Sequence, residues 1–164
     1  MQFASDNAGP AHPQVLAAMS AANEGYASPY GADAVTARVT ARLREIFEAP
    51  EASVHLVATG TAANALALAT LAQPWQAIFC TPVAHIHEDE CNAPEFYSGG
   101  AKLALVGEGD RMTPEALHAA IAAEESRGVH GPQRGPVSIT QATERGGVYD
   151  TDQIAALGTV ARDF

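Results

Sequence analysis

The sequence predicts an α/β domain with a mostly parallel sheet flanked by helices. Three observations carry that expectation. Short apolar runs alternate with longer helix-like stretches, and turn formers such as Gly99-Gly100 punctuate the junctions. Of the 164 residues, 47% are hydrophobic and 17% charged, which suits a single folded domain and excludes a disordered chain or a fibre.

The elements follow in order. His12-Pro13 opens a first helix through about Asn23, because proline suits a first turn whose N–H would lack a partner anyway. A loop through Tyr30-Gly31 leads to Asp33, which caps a second helix to about Glu48. Val35, Val39, Leu43, Ile46 and Phe47 recur there at three- and four-residue steps and make one apolar face. Val54-His55-Leu56-Val57-Ala58 is short, apolar and partly β-branched, so it reads as a strand buried on both faces. Ala62 to about Gln73 is then a helix of small and aliphatic residues packed between the sheet and another surface. Ala77-Ile78-Phe79-Cys80 is the next strand, Ile86 to about Phe96 a short helix, and Lys102-Leu103-Ala104-Leu105-Val106 a third strand. Thr113-Pro114 opens a helix to about Arg127, Val137-Ser138-Ile139-Thr140-Gln141 forms a fourth strand, and Thr151 to about Asp163 a last helix. The chain then stops where another buried strand is expected, so it reads as part of a longer one.

Charge and composition narrow the function. Nine basic against nineteen acidic residues leave a net charge of −10, which argues against nucleic acid or an acidic membrane surface as partner. No apolar run approaches the roughly 18–20 residues of a membrane span, and the first residues lack the pattern of a secretory signal, so a cytoplasmic protein is expected. Cys80 and Cys91 read as reduced thiols there, a disulfide between them being the alternative. Lys102 is the sole lysine and starts an expected strand, where it reads as structural.

Two segments carry chemistry. Thr59-Gly60-Thr61 joins an expected strand to an expected helix, so free backbone N–H groups and the positive helix end would face outward as a phosphate cradle; an ordinary capped turn is the plainer reading. Ala84-His85-Ile86-His87-Glu88-Asp89-Glu90-Cys91 follows the second strand. His87 and Cys91 would share a helix face, which with His85 opens a metal-dependent hydrolase as an alternative, while the three acids also suit the first turn of any helix.

In their order along the chain, Ser5-Asp6-Asn7, Tyr30-Gly31, Thr59-Gly60-Thr61-Ala62-Ala63-Asn64 and Ala84-His85 with Glu90 resemble segments of the low-specificity threonine aldolases. These belong to the fold-type I enzymes that use pyridoxal 5'-phosphate. The resemblance runs over essentially the whole chain. It implies the N-terminal part of an aspartate aminotransferase-like large domain, with residues 1–31 as an N-terminal helix and active-site arm and residues 32–164 as the first part of the cofactor-binding domain. It also implies that His85 stacks on the cofactor ring, that Thr59, Gly60 and Thr61 hold its phosphate, that Ser5 meets the substrate carboxylate, and that Tyr30 reaches the site of a neighbouring subunit in a homodimer or homotetramer. Gln141-Ala142-Thr143-Glu144 matches a stretch that in some members ends in histidine, which makes Glu144 with His85 the expected catalytic pair.

The implied reaction cleaves a threonine or allo-threonine type of β-hydroxy-α-amino acid to glycine and an aldehyde. Neighbouring chemistries on the same cofactor, namely β-elimination, racemisation and transamination, remain as alternatives. The resemblance places the cofactor-bonding lysine, and the aspartate that pairs with the ring nitrogen, beyond Phe164. The chain by itself is therefore expected to be inactive.

Overall fold

The computed structural model describes residues 8–164. They fall into two compact units, one ending at Leu56 and one running from Val57 to Phe164.

In the first unit, helix α1 spans Pro13–Ala22 and helix α2 spans Ala34–Ile46. Both start where local chemistry dictates. His12 Nδ1 accepts the N–H of Gln14 at 3.2 Å. Asp33 Oδ1 accepts the N–H groups of Val35 at 2.9 Å and Thr36 at 2.8 Å, while its Oδ2 takes the Thr36 hydroxyl at 2.7 Å. The Thr36 bonds hold the Asp33 carboxyl below its ordinary pKa. Neither helix buries a residue, and Val35, Ile46 and Phe47 of the apolar stripe on α2 are exposed.

The second unit is built around strand β1, Gln76–Cys80, flanked by β2, Lys102–Leu105, and β3, Gln133–Val137. All pairings are parallel, in the order β2-β1-β3. Helices α3 (Gly60–Leu71), α4 (His85–Glu88), α5 (Ala93–Tyr97), α6 (Pro114–Glu125) and α7 (Thr151–Asp163) complete it, with a single 3-10 turn at Gly128–His130. The period of two along β1 divides the core. Ala77 and Phe79 join Leu117 and Ile121 of α6 and Leu157 of α7 on one face. Ile78 and Cys80 join Leu68 of α3 and Ile86 of α4 on the other. Helix α7 starts with a capping box, Asp150 accepting the Gln153 N–H at 2.8 Å and Gln153 accepting the Asp150 N–H at 3.0 Å. Both cysteines are free thiols; burial, with a contribution from the Glu95 charge, pushes Cys80 up to about 12.

Three sequence expectations are corrected. Residues 54–58 form no strand, and Leu56 and Val57 are 68% and 42% exposed; a parallel strand needs a ladder partner, and the described ladder joins only β1, β2 and β3. The fourth strand is Gln133–Val137 and not residues 137–141. Gly135 approaches β1 so closely that a Cβ there would lie 2.5 Å from the Ala77 carbonyl oxygen, so backbone register outweighs the β-propensity of the residues that follow. The helix expected over residues 86–96 is two short ones. Pro94 can stand in a first turn but not in an interior, and the chain breaks ahead of it with Cys91 and Asn92 at φ 52° and 61°.

Because Phe79 is fully buried in the central strand, Phe79→Ala should cost about 3–5 kcal/mol, while Leu66→Ala on the exposed side of α3 should cost far less. Urea unfolding of the two variants measures the contrast.

Candidate active site

The second unit places its reactive side chains where β1 ends. After Cys80 the chain turns through Thr81-Pro82-Val83-Ala84, with the Ala84 N–H donating to the Thr81 carbonyl at 3.1 Å, and His85 opens α4. Its ring Nδ1 lies 2.9 Å from Oε1 of Glu90, and the same oxygen accepts Nδ2 of Asn64 from α3 at 2.7 Å. The Glu90 side chain is 0% exposed and that of His85 42%. Oε2 of Glu90 has no hydrogen-bond partner among the described residues. A carboxylate only accepts, so the shared hydrogen belongs on Nδ1. That bond, foremost, raises the His85 pKa above its ordinary 6.5. Burial opposes the rise, and the charges of Glu90, Glu144 and Asp89 add to it.

The α3 helix begins at Gly60, capped by Thr59, whose hydroxyl accepts the Ala62 N–H at 3.1 Å. The N–H groups of Gly60 and Thr61 belong to the first turn and have no acceptor within the helix. A Cβ built on Gly60 meets nothing within 4 Å, and its φ is not left-handed, so the space outside the turn is open.

Beyond β3, residues Ser138 to Thr140 and Glu144 line a small cleft with Thr81, Val83 and Ala84. The loop carrying Glu144 is fixed at its base. The Thr143 hydroxyl donates to Asp110 at 2.5 Å and accepts the Gly147 N–H at 2.7 Å, and the Gln141 side chain accepts the Tyr149 N–H at 2.7 Å. Glu144 itself is exposed.

Thus Thr59, Gly60, Thr61, His85 and Glu144 all belong to the second unit. Tyr30 belongs to the first, where it is fully exposed at φ 59° beside Gly31 at φ 77°. Ser5 lies outside the described residues. The premise of the metal reading fails: α4 ends at Glu88, so His87 and Cys91 share no helix, and His87 Nδ1 sits 2.8 Å from the Pro82 carbonyl oxygen. Among the described residues no three His, Cys, Asp or Glu side chains are grouped to hold a metal ion. Lys102 pairs with Ala77 at the amino end of the strands, opposite the His85 edge.

Comparison with known proteins bears on this arrangement directly. The sequence matches the beta-eliminating lyase family over residues 2–164. The chain belongs to that family. It is 40% identical over 164 residues to the low specificity L-threonine aldolases of Pseudomonas sp. (strain NCIMB 10558) and of Pseudomonas aeruginosa, covering 99% of this chain and 46% of each relative. The chain therefore spans about half the length of those relatives. Its fold is also similar to a solved structure described as Leishmania major threonine aldolase, with a TM-score of 0.84 and 25% identity over 93% of this chain and 44% of that one.

The family is pyridoxal phosphate-dependent, and the donor set fits such a group. Open space outside Gly60, unpaired first-turn N–H groups and two threonine hydroxyls suit a phosphate, and a partly exposed flat imidazole suits an aromatic ring. Sequence reasoning gave no role to Asn64 or Asp110. Asn64 stands one helical turn past Gly60, a spacing visible in the motif, but its partner is 26 residues away. Nothing local signals Asp110.

The His85 pair makes stability depend on pH. Because the folded state raises this pKa, the stabilisation is fully present below the unfolded value of 6.5 and disappears as pH rises through the folded one. The difference in urea midpoint between the unaltered chain and His85→Asn should therefore be larger near about pH 5.5 than near about pH 9.

Proposed function

We propose that these residues belong to a pyridoxal phosphate-dependent aldolase that cleaves β-hydroxy-α-amino acids of the threonine and allo-threonine type to glycine and an aldehyde. The observation that carries this reading is the joining of α3 to His85 through Glu90, which brings the capped first turn and a flat imidazole to one edge of a parallel sheet. The 40% identity to two proteins named L-threonine aldolase supports the substrate class.

In this reading the N–H groups of Gly60 and Thr61 and the threonine hydroxyls bind the phosphate, and the His85 ring covers the cofactor. When bound there, the cofactor would supply a sink for electron density released at the substrate α carbon. Glu144, on the loop braced by Thr143, accepts the β-hydroxyl proton at a carboxylate oxygen; it lines the same cleft as Ala84, the residue before His85. Ser5 takes the substrate carboxylate. Tyr30, whose left-handed turn leaves it fully exposed, reaches the site of a second copy in a homodimer or homotetramer. Lys102, at the far end of the sheet, does not bond the cofactor. The domain division at residue 31 and a cytoplasmic location belong to the same proposal; no helix among the described residues is long and apolar enough to cross a membrane.

The family description also covers β-elimination, so the deciding assay follows glycine and aldehyde against ammonia release from L-threonine and L-allo-threonine with the full-length enzyme. Aldehyde with equimolar glycine is expected. Ammonia without glycine would replace the aldolase reading with an eliminating one.

The phosphate role of α3 has its own test. Since a Cβ at Gly60 meets nothing within 4 Å among the described residues, Gly60→Val should leave the melting temperature nearly unchanged and weaken pyridoxal phosphate binding more than Thr61→Ala does. The threonine change removes one hydroxyl contact, about 0.5–1.5 kcal/mol, or up to roughly 3 if the bond goes to a charged oxygen. Titration of the cofactor into each apo variant gives the comparison.

A further inference from the structure

We infer that Glu90 is a positioning residue for His85: its buried carboxylate, held from α3 by Asn64, receives the Nδ1–H of His85 and fixes the tautomer and orientation of that ring. The purpose of the arrangement rests on the cofactor reading above, while the arrangement itself stands on geometry.

Three consecutive acids, Glu88, Asp89 and Glu90, follow His87, and only the third is buried. The chain can turn Glu90 inward because α4 stops at Glu88, and the next two residues, Cys91 and Asn92, take the left-handed conformation. A carboxylate with no exposed side-chain surface is costly unless donors meet it. Here the donors come from two separate elements, 26 and 5 residues away in sequence, and converge on one oxygen. Because that oxygen only accepts, Nδ1 must carry a hydrogen, and the Nδ1–H direction is pinned to an atom that cannot move into solvent. The second ring nitrogen is then the one that gains or loses the proton.

Asn64 makes this more than a local pair. It lies four residues beyond Gly60, about 6 Å along the α3 axis, so the same carboxylate ties the ring to the turn proposed to bind phosphate. A plain core-filling role for Glu90 would require neither the shared oxygen nor a particular tautomer at His85.

Imidazole nitrogen NMR of the full chain without cofactor tests this. The unaltered chain should show His85 in its Nδ1–H tautomer when neutral, with a midpoint above the ordinary histidine value. Glu90→Gln, which keeps the shape but offers an amide in place of the charge, should move the midpoint down and populate the Nε2–H tautomer. Asn64→Leu keeps the charge and should not lower the midpoint. If Glu90→Gln fails to fold, the tautomer of the unaltered chain decides by itself: an Nε2–H form overturns the proposal. A His85 midpoint unchanged by Glu90→Gln overturns it as well. In a cofactor titration of the full-length enzyme, Glu90→Gln should bind pyridoxal phosphate roughly tenfold more weakly, the equivalent of one charge-assisted hydrogen bond. No binding by any form, with the expected His85 spectra, would sink the cofactor reading and leave the Glu90 assignment standing.

Discussion

The burial of β1 on both faces is the constraint on which the second unit depends. Ala77 to Cys80 are each 0% exposed, so successive side chains must feed two separate cores, and helices must cover both sides of the strand. That requirement fixes α6 and α7 on one face and α3 and α4 on the other. It also fixes the position of the site. At the end of β1 the Cys80 carbonyl still accepts the Val106 N–H at 2.8 Å, and the Phe79 carbonyl the Ser138 N–H at 2.8 Å. Beyond these bonds the loops after β1 and β3 diverge, and the cleft lined by Ala84 and Glu144 opens between them.

The electrostatics of that edge run against the overall charge. A chain of net charge −10 gives no long-range attraction to an anionic ligand, and Glu90, Glu144 and Asp110 add negative charge near the cleft. The proposed phosphate site would then rest on short-range, directed donors, which is what a helix first turn supplies and what salt screens least. The raised pKa of His85 acts in the same direction, since its protonated form offsets the nearby carboxylates.

The sequence was most legible where structure is set by neighbours in the chain. Asp33 and Thr113 cap helices where those were expected to open, because the groups they satisfy lie two or three residues away. The apolar run of β1 and the start of β2 at Lys102 were equally plain. Strands that depend on distant partners were not. Residues 54–58 have the composition of a strand without a ladder, and Gln133–Val137 has a ladder without the composition. The break between α4 and α5 was missed: one helix was expected through Pro94, although a proline suits a first turn and not an interior, and only the fold shows that the break turns Glu90 inward. At the site, His85 and the capped turn were readable as types and spacing. The Asn64–Glu90 link was not, because it joins residues 26 apart in sequence that only the packing of α3 against α5 and the segment before it brings together.

Two glycines show how fold and ligand demands can be separated. At Gly135 a Cβ would lie 2.5 Å from the Ala77 oxygen, so the sheet itself requires the missing side chain. At Gly60 the backbone is ordinary for a helix start and the Cβ position is empty space, so no contact among the described residues requires glycine. A helix first turn gains nothing in stability from glycine, whose extra freedom in the unfolded chain is lost on folding. Among the described residues the fold therefore gives no reason for Gly60, and the outer side of the turn is left open to the approach that the proposed phosphate role needs, a bare backbone facing two N–H groups that the helix cannot satisfy.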